Sequence, residues 1–563
     1  MKQFHDTDLS GARMIVSFLE KAGVKVVFGY PGGQIMPLYD AIYEAAFTHI
    51  ITRHEQAAAH AADGYARATG RVGVVLATSG PGATNLVTGL ATANMDSVPL
   101  VAITGQVPTV AIGNDTFQEA DIYGITIPVT KYNYLVKKAI ELPQVLAEAF
   151  YLASSGRPGA ILIDVPKDVQ NETLIPPEVG SVRLDGYNPD PVLDEVQIAS
   201  FAAILTQSRR PVAYIGGGVT ISGAENELFR LVTESDIPVV STLMAKGSFP
   251  EEHELSLGLL GMHGAKYANL AIHESDLILA LGARFDDRVV GDVNHFAPGA
   301  KIVHVDIDVA EIGKRVSTHL AVVGDLKRVL TRLLTLVTPI RRPEWLRQVV
   351  ALKGKYPLLI SAAGDLEGIK PQSVIRAIDE ATCGEAIIVT DVGQHQMWAA
   401  QFIVSRKSRR FLSSGGLGTM GYGLPAALGA QVGCPESQVV LITGDGGFQM
   451  NIQELATIRE NDLPVKIVII NNGCLGMVRQ WQQFFFSRRY SQTIWKFNPN
   501  FAAIAQAYGI PGHTVDDPKE VTGAIQAMLA APGPQLLDFK VVGEENVLPM
   551  IPSGGGQTDF YDA

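Results

Sequence analysis

The chain has 563 residues, which predicts three or four domains, and its 47% hydrophobic and 18% charged residues are typical of globular proteins rather than disordered or fibrous ones. A net charge of −12 without a basic stripe makes nucleic acid and anionic membrane surfaces poor partners and leaves small metabolites. We expect a cytoplasmic protein, because no stretch approaches the ~18 apolar residues of a membrane span, no signal-peptide pattern is present, and the three cysteines lack the spacing of disulfide or zinc sites.

The first segment of the chain alternates helical and strand patterns. An apolar helical stripe over Met14–Leu19 leads into a β-rich run at Val24–Phe28 and then a Gly/Pro turn. The pattern next predicts a helix over Gln56–Thr69, a strand over Val72–Ala77, a helix over Asn85–Asn94 and a strand over Leu100–Thr104. Apolar strands that alternate with helices indicate a parallel sheet covered on both faces.

The central segment forms another α/β unit. Its predicted strands are Val212–Ile215, Val239–Thr242, Leu277–Leu281 and Ile302–Ile307. On either side, Pro176–Pro191 and Val337–Pro357 are richer in proline and charge and lose periodicity, so we expect linkers there.

The last segment returns to the order of the first. Its predicted elements are a helix over Ser373–Ala381, a strand over Ala386–Thr390, a helix over Met420–Val432, a strand over Gln438–Thr443, a helix over Asn451–Glu460 and a strand over Val465–Ile470. Val74 and Leu100 are 26 positions apart, and so are Val440 and Lys466. This weak internal repeat predicts two α/β units of one design. We therefore expect three doubly wound parallel-sheet domains, over 1–175, 190–345 and 366–563.

Polar turns follow two successive strands of the last segment. Gly444-Asp445-Gly446-Gly447 ends one strand, and Asn472, 28 positions after Gly444, ends the next. Open α/β sheets bind ligands at this edge, where Asp445, Asn472 and a backbone carbonyl just beyond suit a Mg²⁺ that also takes diphosphate oxygens. The glycines let backbone N–H groups approach phosphate. Alternatively these are an ordinary turn and a strand cap, a reading that the spacing on successive strands disfavours.

A GDG motif followed by NN at this spacing resembles the diphosphate-binding motif of thiamine-diphosphate (ThDP) enzymes. The resemblance implies that the last domain binds the diphosphate, that the first binds the aminopyrimidine, and that two subunits form each active site. It also implies that Glu55 activates the pyrimidine, since a carboxyl group held out of water has a raised pKa and can share a proton with a ring nitrogen. Without the diphosphate motif, Glu55 would be read as a solvated acid at a helix N-terminus.

Further segments resemble the catalytic subunit of acetohydroxyacid synthase from end to end of the chain. They include ITGQVP, FQEAD, LGARFDDR, HVDIDVAEIGK, DVGQHQMW, GGLGTMGYGLPAA, NIQELAT and VLPMIPSGG. The resemblance implies that pyruvate is decarboxylated and condensed with pyruvate or 2-ketobutyrate, on the pathway to the branched-chain amino acids. It implies ThDP, Mg²⁺ and an FAD without net redox role in the central domain. It further implies a homodimer or homotetramer and a small regulatory subunit.

By resemblance, two groups of residues surround ThDP. On the diphosphate side these are Gln394, His395, Gly418, Met420, Gly444, Asp445, Gly446, Gly447, Asn472, Cys474, Gly476 and Met477. Met420 would be the wedge that bends the cofactor, and Asp445, Asn472 and the Cys474 carbonyl would hold the metal. Gly447 departs from the serine that the family often has, so a hydroxyl contact to phosphate is lost. The pyrimidine side and substrate channel would comprise Tyr30, Gly32, Glu55, Pro81, Asn85, Phe117, Gln118 and Lys167, although such an aromatic also fits packing and such a lysine also fits a solvated surface.

The central domain offers less to sequence reasoning. Gly216-Gly217-Gly218 follows its first strand but is not the dinucleotide fingerprint. Asp306 ends a predicted strand, where a carboxylate can accept hydrogen bonds from ribose hydroxyls. By resemblance, FAD would contact the glycine run together with Thr242, Leu243, Met244, His263, Gly264, Arg284, Asp306 and Asp325.

Two residues are implied in the choice of the second ketoacid. Arg288 would bind its carboxylate, a task that suits a planar bidentate donor, or would pair with Asp286 or Asp287. Trp481 would contact the extra methyl group of 2-ketobutyrate, or it is a core aromatic residue. Together with Glu55, Gln118, Lys167 and Met420, these two complete the residues expected to act in catalysis.

Other enzymes of this fold remain as alternatives. A catabolic acetolactate synthase lacks FAD and usually the RFDDR arginine, and a glyoxylate carboligase replaces the glutamate that Glu55 supplies. A pyruvate oxidase would use FAD for electrons, and its quinone-linked members attach to membranes through a C-terminus less polar than this one. A non-catalytic scaffold is disfavoured because Glu55, Asp445 and Asn472 are all present.

Overall fold

The structure, a computed structural model, describes residues 9–358, 360 and 368–561. The predicted domain limits at positions 1, 366 and 563 lie outside these residues. Three six-stranded sheets, parallel throughout, form the framework, which confirms the predicted class of three parallel-sheet α/β domains. In the described part of the chain, no helix combines the length and apolar character of a membrane span.

From residue 9 onward, the first unit contains eight strands and eight α-helices. The strands are β1 (Leu9–Ser10), β2 (Val26–Gly29), β3 (Thr48–Ile51), β4 (Gly73–Ala77), β5 (Leu100–Gln106), β6 (Tyr132–Leu135), β7 (Ala160–Pro166) and β8 (Thr173–Leu174). The helices are α1 (Gly11–Lys21), α2 (Met36–Ile42), α3 (Glu55–Thr69), α4 (Pro81–Thr84), α5 (Val87–Met95), α6 (Ile122–Thr126), α7 (Leu142–Ser154) and α8 (Lys167–Asn171), with short 3₁₀ turns at Thr109–Ala111, Ile127–Val129 and Ala139–Glu141. The sheet order is β3-β2-β4-β5-β7-β6, and β1 and β8 form a separate antiparallel pair.

The central unit has the sheet order β11-β10-β9-β12-β13-β14. Its strands are β9 (Pro211–Ile215), β10 (Val239–Ser241), β11 (Ser256–Leu259), β12 (Leu277–Leu281), β13 (Lys301–Asp306) and β14 (Leu320–Val323). Its helices are α9 (Glu195–Gln207), α10 (Gly218–Ser222), α11 (Glu225–Glu234), α12 (Lys266–Glu274), α13 (Asp287–Val290), α14 (Leu326–Leu333) and α15 (Pro343–Lys355), with 3₁₀ turns at Leu243–Ala245 and Val293–His295.

The last unit has the sheet order β16-β15-β17-β18-β20-β19. Its strands are β15 (Ile387–Thr390), β16 (Phe411–Leu412), β17 (Val439–Gly444), β18 (Lys466–Asn471), β19 (Gly512–Val515) and β20 (Gln535–Lys540). Its helices are α16 (Pro371–Thr382), α17 (Gln394–Phe402), α18 (Gly423–Gly433), α19 (Asp445–Met450), α20 (Glu454–Glu460), α21 (Gly476–Phe485), α22 (Phe501–Ala507) and α23 (Val521–Ala530).

The internal repeat is confirmed in three dimensions. Counted along the chain from β2 and from β15, the six strands of the first and last sheets have the same spatial order. The equivalent helices α3 and α18 pack against each other, and one hydrophobic core contains side chains of both. The packing is close: a Cβ on Gly64 would overlap the carbonyl of Ala426, and one on Gly429 would overlap the carbonyl of Ala61. Only glycine fits at these crossings.

Some predicted elements were wrong in detail. The segment Val337–Pro357, predicted as a linker, contains helix α15, whose Trp345 is buried in the central unit and donates a hydrogen bond from Nε1 to the Pro211 carbonyl at 2.9 Å. Position 345, the predicted end of the central domain, lies inside this helix. Proline and charge masked the helix in the sequence, because only Trp345 and Val349 of its side chains are buried. The predicted helix over Asn85–Asn94 corresponds to α5, which begins two residues later, and the turn before it forms the short helix α4, which the pattern did not predict.

Candidate active site

The two polar turns of the last unit lie side by side. Strands β17 and β18 are parallel neighbours, with Gly444 opposite Ile470, so Asp445 and Asn472 both emerge at the carboxyl edge of the sheet. Asp445 begins helix α19 directly, so the Gly-Asp-Gly segment is a strand-to-helix junction rather than an ordinary turn. Asn472 Oδ1 accepts a hydrogen bond from the Cys474 backbone N–H at 3.2 Å.

The Asp445 carboxylate is held out of water. Its residue is 1% exposed, and its Oδ2 accepts a hydrogen bond from Asn498 Nδ2 at 2.6 Å. Burial raises the pKa of Asp445 to about 6, and the hydrogen bond from Asn498 limits the rise. A buried carboxylate with so few partners suits a cation at this position. Nothing in the sequence near the motif signalled Asn498, because it is far from Asp445 along the chain.

Glycines line the space between these turns. A Cβ on Gly476 would overlap the side chains of Gln394 and Asn472, and one on Gly447 would overlap the Asp391 carboxylate. A Cβ on Gly444 would lie 3.0 Å from His395 Nδ1. Backbone N–H groups can therefore approach a ligand closely here, which is how proteins cradle phosphate. Gly447 stands where the family often has serine. The structure gives a reason for glycine here, since Asp391 occupies the space that a serine side chain would need.

A cavity of about 60 Å³ lies over this cradle. It is lined by Val392, Gly393, Gln394, His395, Trp398, Met420, Gly444, Asp445, Gly446, Gly447, Ile470, Asn472, Cys474, Leu475, Gly476, Met477 and Val478. Burial lowers the pKa of His395 to about 3, and its Nε2 has no hydrogen-bond partner among the described residues. A buried polar atom without a partner marks a place for a ligand. The predicted residues of the diphosphate side are therefore together, except Gly418, which lines the next cavity.

A later segment of the chain covers the cradle. The Leu475 N–H donates to the Thr493 carbonyl at 2.8 Å, and the Trp495 N–H donates to the Gly473 carbonyl at 2.9 Å. Trp495 packs near Gly446 with its Nε1 buried and unpartnered among the described residues. Sequence reasoning missed this segment, because no motif marks it.

Met420 stands where this cavity meets a larger one of about 430 Å³. The larger cavity is lined by residues predicted to contact FAD, namely Gly216, Gly217, Thr242, Leu243, Met244, His263 and Arg284, and also by Gly418, Met477, Arg288 and Trp481. Thr242 Oγ1 and His263 Nε2 are buried without partners among the described residues. Burial, with Arg288 nearby, lowers the pKa of His263 to about 4, so its ring is neutral at pH 7.

A third cavity, of about 360 Å³, shares Gly217, Met244 and Arg284 with the second. Its lining includes Gly218 and the predicted carboxylates Asp306 and Asp325, and it adds Arg157, which the sequence reasoning missed. Burial raises the pKa of Asp306, which ends β13 as predicted, to about 6. The second and third cavities together form a long polar and apolar cleft. Gly264 lies outside the lining of both and packs against the backbone of residues 259–261.

Arg288 and Trp481 are brought together although they lie on α13 and α21. The Arg288 guanidinium carbon lies 5.4 Å from the centre of a Trp481 ring, a cation–π arrangement. Among the described residues Arg288 forms no ion pair with Asp286 or Asp287, and Asp286 instead lies 3.6 Å from Arg284. Trp481 is only partly buried and lines the cavity, so it is not a core aromatic residue.

The residues predicted for the pyrimidine side collect at the carboxyl edge of the first sheet. Glu55 begins α3 and accepts a hydrogen bond from Asn85 Nδ2 at 2.9 Å. Tyr30, Gly32, Pro81 and Lys167 lie within four residues of the ends of β2, β4 or β7, and Phe117 and Gln118 lie in the longer segment that follows β5. Phe117 is 81% exposed. None of these residues lines the three cavities described above.

Comparison with known proteins matches each unit to a protein family. The first matches the thiamine pyrophosphate enzyme N-terminal TPP-binding domain over residues 9–125, the central one the thiamine pyrophosphate enzyme central domain over 198–333, and the last the C-terminal TPP-binding domain over 391–539. Thiamine pyrophosphate, or TPP, is ThDP.

Three relatives resemble the chain over nearly its whole length. A probable acetolactate synthase large subunit of Methanocaldococcus jannaschii is 48% identical over 98% of this chain and 95% of its own. An acetolactate synthase of Arthrospira platensis is 48% identical over 98% of this chain and 97% of its own. An acetolactate synthase large subunit of Parasynechococcus marenigrum is 49% identical over 97% of this chain and 90% of its own.

Proposed function

The chain belongs to the acetolactate synthase large-subunit family of ThDP-dependent enzymes, and from that premise we propose that it decarboxylates pyruvate and joins the remaining two-carbon unit to pyruvate or 2-ketobutyrate. The products are 2-acetolactate and 2-aceto-2-hydroxybutyrate, which lead to the branched-chain amino acids. The observation that carries the proposal is the pair Asp445 and Asn472 over a glycine cradle, in a chain that is 48% identical over 98% of its length to the Methanocaldococcus jannaschii relative.

The cradle fits a metal-bound diphosphate. In this proposal Asp445, Asn472 and the Cys474 carbonyl hold Mg²⁺, and the unpartnered His395 Nε2 faces the diphosphate. Among the described residues, no group of three or more His, Cys, Asp or Glu side chains could hold a metal, and in this proposal the amide of Asn472, one backbone carbonyl and diphosphate oxygens complement the single carboxylate. When bound, ThDP supplies a carbon acid whose conjugate base adds to the keto carbon of pyruvate and accepts the electrons that decarboxylation releases.

The pyrimidine side would come from a second copy of the chain. Glu55 and Asn85 form a polar pair at an exposed edge, and the neighbouring Phe117 is uncovered in one chain. In this proposal, pairing two chains brings Glu55 of one to Met420 of the other and buries the exposed Phe117 side chain. Glu55 would then hold the proton shared with the pyrimidine ring nitrogen, and Gln118 and Lys167 would line the substrate entrance. We therefore propose a homodimer or homotetramer.

The central cleft fits an elongated dinucleotide such as FAD. It offers unpartnered Thr242 Oγ1 and His263 Nε2 at one end and the carboxylates Asp306 and Asp325 at the other. In the proposal FAD is structural, which separates this enzyme from a pyruvate oxidase of the same fold. Because relatives are named large subunits, we also propose a small regulatory partner. The three unpaired cysteines favour a reducing, cytoplasmic location.

The test is acetolactate formation from pyruvate, followed with and without FAD, under air and under strict exclusion of oxygen. We expect equal rates with and without oxygen and with chemically reduced flavin, and loss of activity on removal of ThDP and Mg²⁺. Oxygen uptake that matches pyruvate consumption would support the oxidase. Activity retained without FAD would instead support the catabolic synthase.

A further inference from the structure

We infer that the C-terminal end of helix α5, through Thr92 and Asp96, positions the loop 413–420 and thereby sets where Met420 meets the cofactor. We call residues 413–420 the wedge loop. The inference rests on the proposed function in one respect, since it takes Met420 as a cofactor contact. It adds two residues of the first unit to a site whose diphosphate side lies in the last unit of the same chain.

Asp96 binds the wedge loop through its backbone. Its Oδ1 accepts a hydrogen bond from the Gly416 N–H at 2.7 Å, and its Oδ2 accepts one from the Gly415 N–H at 3.0 Å. One turn earlier on α5, Thr92 Oγ1 lies 2.7 Å from Thr419 Oγ1, and both side chains are buried. Three bonds from one helix end therefore reach three residues of the loop, the last of them adjacent to Met420.

Arg67 fixes Asp96 in place. Its Nη2 lies 2.8 Å from Asp96 Oδ2, and its Nη1 donates to the Ser413 carbonyl at 3.0 Å. Its Nε pairs with Asp63 at 2.6 Å. The same guanidinium thus holds the carboxylate and the first carbonyl of the loop, in a buried setting where unpaired charge is costly.

The wedge loop depends on these external contacts. It lies between β16 and α18 and contains neither helix nor strand, and Gly418 has a φ of 67°. Its other end is held in a matching way, since Asp391 accepts hydrogen bonds from the N–H groups of Gly421 and Gly423 at 3.0 and 2.8 Å. Met420 therefore lies between two carboxylate anchors, one from each repeated unit.

Tyr422 provides a control within the same network. Its hydroxyl donates to Asp63 Oδ1 at 2.7 Å and, among the described residues, forms no hydrogen bond with the wedge loop. Tyr422→Phe removes one buried hydrogen bond and keeps the ring, as Asp96→Asn keeps the shape of the side chain but removes the charge. Thr92→Val is a milder second variant, because it removes no charge and deletes only the hydroxyl that contacts Thr419 and the Thr88 carbonyl of its own helix.

The experiment compares Asp96→Asn, Thr92→Val and Tyr422→Phe in the full-length enzyme. Thermal stability, ThDP affinity by titration of tryptophan fluorescence, and kcat for acetolactate at saturating ThDP, Mg²⁺ and FAD are measured for each. We expect kcat to fall in Asp96→Asn by about 10²-fold, the effect of roughly 1 Å of misplacement, and by a smaller factor in Thr92→Val. Tyr422→Phe should lose stability but keep its kcat.

A decrease in kcat that follows the loss of stability in all three variants would overturn the inference. If Asp96→Asn does not fold, the comparison of Thr92→Val with Tyr422→Phe decides it. Met420→Ala separates this result from a failure of the proposed function. Wild-type ThDP binding and turnover in Met420→Ala would refute the assigned role of Met420, whereas an impaired Met420→Ala with fully active Thr92→Val and Asp96→Asn would refute only the positioning by α5.

Discussion

The first and last units share a strand order and differ at the edge where chemistry takes place. In the last unit the carboxyl edge is closed, with Asp445 1% exposed beneath a segment that contains Trp495 and Asn498. In the first unit the edge is open, with Glu55 half-buried and Phe117 81% exposed. The duplication thus preserved the framework, which local periodicity specifies, while the loops beyond the strands acquired different roles.

The largest expected effect tests the open edge. Glu55→Gln keeps the shape and the hydrogen bond with Asn85 but removes the acid, so turnover should fall by roughly 10²–10⁴ while ThDP still binds. Acetolactate formation and a ThDP titration measure the two quantities. Glu454→Gln is the matched control. Glu454 begins α20 but lies in space beside the start of α3, where its carboxylate accepts a hydrogen bond from the Arg53 N–H. Equal losses in both variants would contradict a catalytic role for Glu55.

The next largest effect concerns Trp481, which lines the larger cavity beside the closed edge, and the choice between pyruvate and 2-ketobutyrate. Trp481→Leu should lose roughly 10–200-fold of the preference for 2-ketobutyrate, because the indole adds apolar contact to one extra methyl group. Arg288→Ala should weaken acceptance of both ketoacids. Competition assays give the product ratio. Phe485→Leu serves as control, since Phe485 touches Trp481 but does not line the cavity. An unchanged ratio in Trp481→Leu would remove this residue from the selectivity site.

A smaller effect concerns Asp445 at the closed edge and the pH dependence of Mg²⁺-dependent ThDP affinity. The pKa of Asp445 is raised to about 6, so the neutral acid persists to a higher pH than usual, and a metal must displace its proton. Mg²⁺-dependent ThDP affinity should therefore weaken as the pH falls through 6, by up to about tenfold per pH unit. Asn498→Ala removes a hydrogen bond to the ionised form and should move this midpoint upward. Identical midpoints would show that Asp445 does not control metal binding.

The smallest effect concerns the packing of α3 against α18, where the first and last units meet, and is a change in the free energy of unfolding. Gly64→Ala would place a Cβ against the Ala426 carbonyl, and overpacking of this kind costs about 1–3 kcal/mol of unfolding free energy. Thermal or denaturant unfolding measures it. Gly523→Ala, inside α23 with open space around it, should be neutral or slightly stabilising. A Gly64→Ala protein as stable as Gly523→Ala would mean that the α3–α18 crossing can relax.

Much of the framework could be read from the sequence. Strand β12 has the predicted bounds, and α3 begins only one residue before its predicted start. Both were predictable because apolar runs and helical stripes have a characteristic periodicity. The Asp445 and Asn472 pair was also predictable, since each follows a strand directly. Helix α15 was not, because its surface is rich in charge and its apolar contacts are few.

The sequence by itself determined the three α/β units, their internal repeat and the motif residues at strand ends, because each is encoded by neighbours within a few positions. Only the tertiary structure decided that Asn498 bonds Asp445, that Asp96 holds the loop before Met420, and that Glu55 does not line the cavity over the diphosphate cradle. Such contacts join residues far apart along the chain. They depend on how helices and sheets pack, and no local pattern records them.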